Sequence, residues 1–514
     1  PPRSTLSSSS AASDVYKRQS LKPFQSKQKI NLIWLPEYMH NSTANALLKI
    51  FEEPPGDTLF FLVSNNYQKL LKTIISRVQM FKVRRFKDEE MKLYLSKYDD
   101  VSVGEVDQAI YLSDGNLNKA VKFLNSSKTD DLDYLKNWIA LPQKERNAIK
   151  ENGFANSPIS KSEANEAKEI LWRDHISLIR SQRSNEIKQK RISIGDKTLK
   201  YDYLVFGEKP ETGRSLYISM HGGGGAPPQV NEGQWKNQMR LYKPKEGIYL
   251  CPRAPTDTWN LWHQAHIDPL FDRLIENMII FNEVDPDKVY LMGYSAGGDG
   301  VYQLAPRMCD RFAAAAMMAG HPNETSPLGL RNLPFALHMG ENDKAYNRNK
   351  IAASWGNKLT NLRKEDPKGY EHFVKIHKNK GHWMNLEDSI AVPWMAKYKR
   401  NKLPDRIVWK QDDVTHSRSY WVSLVNEQIK PRGLIIASRN GQAIQIHKSD
   451  QSTQVDIMLN DEMINFDENV TVRYQDKILF NDKPKRSISE IYRTIKERGD
   501  PSLVFSSRLR VKLN

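Results

Sequence analysis

Cysteine is almost absent: the 514 residues include only Cys251 and Cys309. Two thiols form at most one bridge, which excludes a disulfide framework and a cysteine-rich zinc module. No run of about 18 apolar residues occurs, so a helical membrane span is excluded. Acidic residues are outnumbered, 61 against 77 Lys and Arg, giving a formal net charge of +16. Such an excess invites a nucleic-acid reading. The excess is spread along the chain, however: residues 1–130 hold 19 Lys and Arg against 14 Asp and Glu. Phosphate binding favours a concentrated basic stripe, and none occurs, so no direct nucleic-acid binding is expected. The remaining composition, 39% hydrophobic and 10% aromatic with mean hydropathy −0.65, is too apolar for a disordered chain. At roughly 150 residues per domain, the length implies about three or four domains.

Residues 1–19 (PPRSTLSSSSAASDVYKRQ) carry a serine run, no apolar periodicity and no hydrophobic h-region, so they do not read as a signal peptide. They resemble translated adapter sequence and are expected to be a non-native or disordered leader. The natural start and any export signal are then undetermined. The chain as written reads as cytoplasmic, with a periplasmic or secreted origin of its middle part as the alternative.

Residues 20–128 read as one α/β unit. Ile30–Leu35 and Thr58–Val63 are apolar runs of strand length. Between them Ser42–Glu53 has helical spacing, ended by Pro54-Pro55, and Met80–Val83 reads as a third short strand. The stretch NSTANALLKIFEEPPGDTLFFLVSNN, followed by LLKTIISRVQ, resembles the clamp-loader AAA+ proteins, most closely the delta-prime type of bacterial DNA polymerase III. That resemblance places the family's Ser-Arg-Cys motif on Ser76-Arg77-Val78 and makes Arg77 a subunit-interface arginine. Clamp-loader subunits are then partners only if this segment is functional. A P-loop requires a glycine-rich turn ending in Lys-Ser/Thr. None precedes the segment, and Leu35-Pro36-Glu37 offers one carboxylate where an acidic pair is usual. The unit is read as a truncated, non-hydrolysing AAA+ fragment.

Residues 129–190 are helical and charged, with a capping box at Ser160–Glu163; they read as a linker or pre-domain. From 191 to 400 strands alternate with helices: Leu199–Phe206, Ser215–Met220, Gly247–Cys251, Lys288–Met292, Phe335–His338 and His372–His377, with Pro269–Asn282 as one intervening helix. This pattern predicts an α/β fold with a mostly parallel, doubly covered sheet. On it sits Gly293-Tyr294-Ser295-Ala296-Gly297. The apolar strand before it and the small-residue helix start after it are the context a nucleophile elbow needs. A serine nucleophile requires a base, and the base an orienting carboxylate. The order Ser, acid, His selects Ser295, Asp343 and His382. Glu341, Asp388 and His377 are the rivals. His221-Gly222-Gly223-Gly224-Gly225 follows an early strand, where bare backbone amides can face an oxyanion. Gly222, Gly223 and Ala296 are the candidate donors.

The HGGGG, GYSAGG, GENDKAYN and GHWMN segments together resemble the α/β-hydrolase superfamily, in its polyhydroxybutyrate-depolymerase-like and phospholipase/carboxylesterase branch. The resemblance implies hydrolysis of a small-molecule or polymeric carboxylic ester through an acyl-enzyme. It leaves a polyester depolymerase or a peptidase as alternatives on the same fold. Trp262, Tyr294 and Trp383 are candidate substrate contacts, with core packing as the competing role. No cofactor is implied. No metal is expected either: His263 and His266 stand at H-x-x-H spacing without further ligands, and Asp412, Asp413 and His416 are too local. Asp299 reads as a cap or pocket residue.

Residues 401–514 are β-rich, with a hairpin signal at Asn440-Gly441 and one helix over Ile488–Arg498. They read as a small β sandwich or barrel appended to the hydrolase. The whole chain reads as a chimeric reading frame joining two unrelated genes near residue 130, with a genuine fusion as the alternative. A clamp-loader subunit is the competing function.

Overall fold

The computed structural model describes residues 29–39, 41–54, 56–64, 66–81, 83–97, 106–107, 109–110, 113, 115–125, 131–143, 146–425, 429–450 and 453–513. The leader over 1–19 lies outside them. The chain divides into two units, 1–124 and 125–514.

In the first unit, β1 (Lys29–Trp34) and β2 (Thr58–Val63) pair in parallel, with Ile30 opposite Leu59 and Trp34 opposite Val63. The connecting helix, Asn41–Glu52, packs Ala44, Leu47, Ile50 and Phe51 against one face of this sheet. The other face carries Ile30, Leu32, Trp34, Leu59, Phe61 and Val63, all exposed. Alternate residues of a strand point to opposite faces, so one covered face leaves the other apolar set in solvent. The strand expected over Met80–Val83 is absent among the described residues; Phe81 and Val83 are exposed instead. Charge favours this outcome, because Arg84 and Arg85 follow at once and Arg84 pairs with Glu90 in the next helix.

The second unit is built on an eight-stranded sheet. Its strands are β3 (Arg191–Ile194), β4 (Lys197–Phe206), β5 (Arg214–Met220), β6 (Gly247–Arg253), β7 (Val284–Tyr294), β8 (Ala314–Met318), β9 (Phe335–Gly340) and β10 (His372–His377). The spatial order is β10-β9-β8-β7-β5-β6-β4-β3. Pairing is antiparallel at β3–β4 and β4–β6 and parallel elsewhere. β5 lies between β6 and β7, so the order reverses there. Open sheets place ligands beyond the carboxyl ends of strands at such a switch point. Strands β5, β6 and β8 are buried on almost every residue, as expected of parallel strands covered on both faces.

Six of these strands agree with the sequence reading; β3 and β8 do not appear in it. Ala314–Met318 reads AAAMM, a run of strong helix formers. It is a strand because it is hemmed in on both sides. β7 and β9 flank it, and Gly298 of the neighbouring helix comes so close that a Cβ there would lie 2.5 Å from the Met318 carbonyl.

The C-terminal residues are not an appended domain. Two further sheets form from β11 (Arg406–Lys410), β12 (Arg418–Ser419), β13 (Val422–Ser423), β14 (Leu434–Asn440), β15 (Ala443–Ser449), β16 (Gln454–Leu459), β17 (Val470–Tyr474), β18 (Lys477–Asp482) and β19 (Ser507–Lys512). Their orders are β11-β14-β15-β17-β18 and β12-β13-β16-β19. One buried core runs continuously from Ile192 through Phe271 and Phe312 to Trp409, Trp421 and Leu513. A buried ionic lattice ties the same parts together. The Arg400 guanidinium reaches Asp287 at 2.8 Å and Asp500 at 2.7 Å, and Arg498 reaches Asp310 at 3.0 Å. The neighbouring guanidinium of Arg400 holds the buried Asp500 carboxyl well below its ordinary range, against the opposing pull of burial. The helix Lys161–Gln189, within the residues read as a linker or pre-domain, packs into this unit. Its His175 and Arg183 hold Glu276, at 2.6 and 2.5 Å.

Candidate active site

Ser295 is the residue between β7 and the helix Ala296–Arg307, at φ 57° and ψ −122°. A non-glycine residue rarely adopts positive φ; here the crossing of chains imposes it. A Cβ at Gly293 would fall 2.2 Å from the Gly297 carbonyl oxygen, and one at Gly297 would fall 2.1 Å from the Met220 carbonyl oxygen. Glycine on both sides is thus a packing necessity, and the turn lifts the serine hydroxyl clear of the sheet.

Ser295 Oγ lies 2.9 Å from His382 Nε2, and His382 Nδ1 lies 2.7 Å from Asp343 Oδ2. Asp343 follows β9 and His382 follows β10, so all three stand beyond the carboxyl ends of parallel strands. Asp343 is buried at 2% side-chain exposure, whereas His382 is 43% exposed. An exposed imidazole is open to substrate; a buried carboxylate has no competing water. Asn349 N–H donates to the Asp343 carbonyl at 3.0 Å, and the Arg348 guanidinium stands 3.9 Å from its carboxylate.

The rival residues are otherwise engaged. His377 is buried and lies 3.1 Å from His338. Asp388 is buried and accepts a hydrogen bond from the Tyr242 hydroxyl. Glu341 accepts from Asn379 N–H at 2.9 Å.

The glycine loop after β5 lies against the serine: a Cβ at Gly222 would sit 3.0 Å from Ser295 Cβ. Gly223, Gly224 and Gly225 have φ of +107°, +85° and +59°, a backbone that glycine alone adopts readily. Gly224 N–H is occupied, donating to Asn231 Oδ1 at 2.8 Å. The Gly222 and Gly223 amides have no acceptor among the described residues. Ala296 is the first helical residue, so its N–H has no intrahelical partner. His221 anchors the loop's start. Its Nδ1–H donates to Gly222 O at 2.6 Å, and its Nε2 accepts from Ala254 N–H at 3.1 Å. Burial pushes the His221 imidazole down to about 4, which keeps it neutral, and the two hydrogen bonds fix that tautomer.

The aromatic residues divide. Trp262, expected at the substrate, is fully buried, and its indole N–H donates to His221 O at 3.0 Å. It sits beneath the glycine loop and in contact range of Gly300, so it is a core residue. The Tyr294 hydroxyl donates to His382 O at 2.6 Å and accepts from Met384 N–H at 3.0 Å. It therefore holds the histidine loop, with its ring 7% exposed. Trp383 is 47% exposed beside it, with ring centroids 5.6 Å apart. Asp299, four residues beyond the serine, accepts from His321 N–H at 2.6 Å. Burial pushes its carboxyl up to about 6.

Metal-ligand spacing leads nowhere comparable. His263 and His266 are joined by no third ligand among the described residues. Glu324, Asp412 and Asp413 lie within 4.8 Å of one another, but Arg432 pairs with Asp412 and stands 3.5 Å from Glu324.

Residues 251–402 match the model of the dienelactone hydrolase family, and residues 5–87 match that of the DNA polymerase III delta subunit. The N-terminal part is 38% identical over 76 residues to the DNA polymerase III subunit delta' of Buchnera aphidicola subsp. Schizaphis graminum, covering 14% of this chain and 23% of that protein. It is 30% identical over 92 residues to the delta' subunit of Escherichia coli K12, covering 18% and 28%. Similarity also extends to the gamma subunit of Buchnera aphidicola subsp. Acyrthosiphon pisum, 31% identical over 119 residues and covering 23% and 31%. The chain thus spans less than a third of the length of each of these curated relatives. Among solved structures, a thermostable esterase aligns at TM-score 0.33 and 16% identity, covering 41% of this chain and 62% of that one. The Bacillus cereus carboxylesterase aligns at 0.28 and 14%, covering 43% and 98%. The fold assignment rests on the sheet order and the family match. Two stretches of the chain are therefore similar to two different families: one near its start to the DNA polymerase III delta subunit, and one in its second unit to the dienelactone hydrolase family.

Proposed function

We propose that the second unit is a serine hydrolase that cleaves carboxylic esters through an acyl-enzyme. The observation that carries this reading is the unbroken hydrogen-bonded line Ser295–His382–Asp343 at the carboxyl edge of the sheet. Ser295 Oγ attacks the ester carbonyl carbon while His382 Nε2 takes its proton. The carbonyl oxygen becomes an oxyanion facing the amides of Gly222 or Gly223 and Ala296. Collapse breaks the acyl–oxygen bond, and His382 returns the proton to the departing alkoxide. Water then attacks the acyl-enzyme with His382 as base, releasing the acid and restoring the serine. The Asp343 carboxylate holds the imidazole tautomer through its hydrogen bond and balances the imidazolium. The exposed Trp383 offers an apolar wall to the acyl or alcohol group.

The test is a panel of acyl esters and peptide amides turned over by residues 125–514 and by Ser295→Ala. Ester turnover should fall at least about a thousandfold in the variant. A preference for peptide amides would replace the esterase reading with a peptidase.

For the first unit, the family match supports a clamp-loader-type segment. Arg77, the proposed interface arginine, is engaged within its own chain by Glu52 at 2.5 Å and by Thr73 O at 2.8 Å. Little or no association with clamp-loader subunits is expected in a pull-down.

A further inference from the structure

Three groups, the buried Asn231 and Arg253 and the half-buried Asp257, lie behind the glycine loop and form a chain that ends on its backbone. Asn231, in the helix Pro228–Gln238, is fully buried. Its Oδ1 accepts from Gly224 N–H at 2.8 Å, and its Nδ2 donates to Ala226 O at 3.2 Å and to Asp257 Oδ1 at 2.9 Å. Asp257 Oδ1 is also paired with the Arg253 guanidinium, whose side chain is 9% exposed and donates to Ala254 O at 2.7 Å. Asn231 thus spans both sides of the glycine turn, one atom on Gly224 and another on Ala226. It also fills the space beside Gly223, where a Cβ would lie 2.2 Å from its Oδ1.

The position of this contact matters. Three successive residues, Gly223, Gly224 and Gly225, have positive φ and no side chains to hold the turn. A run of this kind is intrinsically flexible, whereas an oxyanion donor must be fixed within a few tenths of an ångström before the reaction. By taking Gly224 N–H, Asn231 leaves the Gly222 and Gly223 amides without an acceptor among the described residues, on the part of the loop that lies against the serine.

Resting on the hydrolase reading above, we propose that Asn231 is a positioning residue for the oxyanion hole. It clamps the loop through Gly224 and Ala226 and is itself held by the Asp257–Arg253 pair. It touches no substrate. Its effect is therefore on the transition state: the loop's amides gain their hydrogen bond only as negative charge develops on the carbonyl oxygen.

The test compares wild type, Asn231→Ala, Asn231→Asp, the double exchange Asn231→Asp with Asp257→Asn, and Ser295→Ala, using an activated ester. Asn231→Ala should lower kcat about 10- to 100-fold with KM within about twofold. It should weaken a trifluoromethyl ketone, whose hemiketal oxyanion occupies the hole, by a similar factor. Asn231→Asp alone sets two carboxylates against each other. The double exchange restores an acceptor for Gly224 N–H and a donor between the two side chains, and should recover much of kcat. If Asn231→Ala does not fold, the contrast between Asn231→Asp and the double exchange gives the answer. An inactive Ser295→Ala beside an Asn231→Ala enzyme with unchanged kcat would overturn this proposal. So would a folded loss carried by KM alone, or a double exchange no better than Asn231→Asp. An active Ser295→Ala would instead overturn the hydrolase reading beneath it.

Discussion

Ser295 combines a positive φ with a glycine two residues away on each side and a helix beginning at the next residue. Strain of this kind costs of order 1–3 kcal/mol and persists where surrounding structure over-determines it. Asp299 shows a second cost nearby. Burial raises its carboxyl to about 6, above the ordinary value near 4. Between about pH 4 and 6 the native carboxyl keeps a proton that the unfolded one has lost, so this group makes stability fall as pH rises through that window. Asp299→Asn should remove that component, and urea midpoints at pH 4.5 and 6.5 for both proteins would show it. An unchanged difference between the two pH values would exclude Asp299 as its source. Trp262 belongs to the same scale. Its full burial and its hydrogen bond to His221 O predict that Trp262→Ala costs about 3–5 kcal/mol. A loss below about 1 kcal/mol would return it to the pocket wall.

At the scale of elements, each proposed catalytic group stands beyond the end of a strand that the sequence makes legible. PFALHMG is an apolar run ending in Gly, and HFVKIH carries Phe, Val and Ile and is followed by Lys-Asn-Lys-Gly, so the strands and the loops after them are readable. The elbow is readable for a different reason: its glycines are demanded by backbone crossings, and few other sequences fit. β8 is not readable, because AAAMM has the local preference of a helix and becomes a strand only between β7 and β9. The sequence leaves Trp262 open between pocket and core because proximity to the loops says nothing about depth; a tryptophan beside a glycine loop can lie over it or under it. Asn231 carries no motif at all, and its role emerges only from the fold. The Asn440-Gly441 hairpin is the opposite case. Gly441 has φ +55°, and Asn440 pairs with Ala443 across a two-residue turn. Gly441→Val should lower the stability of the unit by about 1 kcal/mol or more, measured by thermal melting, because a β-branched residue resists positive φ.

For the whole molecule, the apparent sum of a hydrolase and a small β domain resolves into one unit from 125 to 514. Local pattern cannot reveal this, since the Arg400, Asp500, Arg498 and Asp310 contacts join residues about 90 to 190 positions apart. Removing one member of a buried ionic network strands its partner charge. Arg400→Ala should therefore cost about 3–5 kcal/mol, and residues 191–400 alone should fail to fold where 125–514 succeeds. Cooperative melting of the shorter fragment would contradict the shared core. At the junction, the chimeric reading predicts no product on amplification across codons 120–140 from source DNA; a single product of the expected size would establish a fusion.

The central claim is that Ser295 is a nucleophile activated by His382 and Asp343. Intact-mass analysis after reaction with a fluorophosphonate tests it most directly. The account predicts one adduct per chain, mapped to the peptide carrying Gly293–Gly297, and none in Ser295→Ala. A wild type left unmodified, or a variant labelled as readily as wild type, would contradict it.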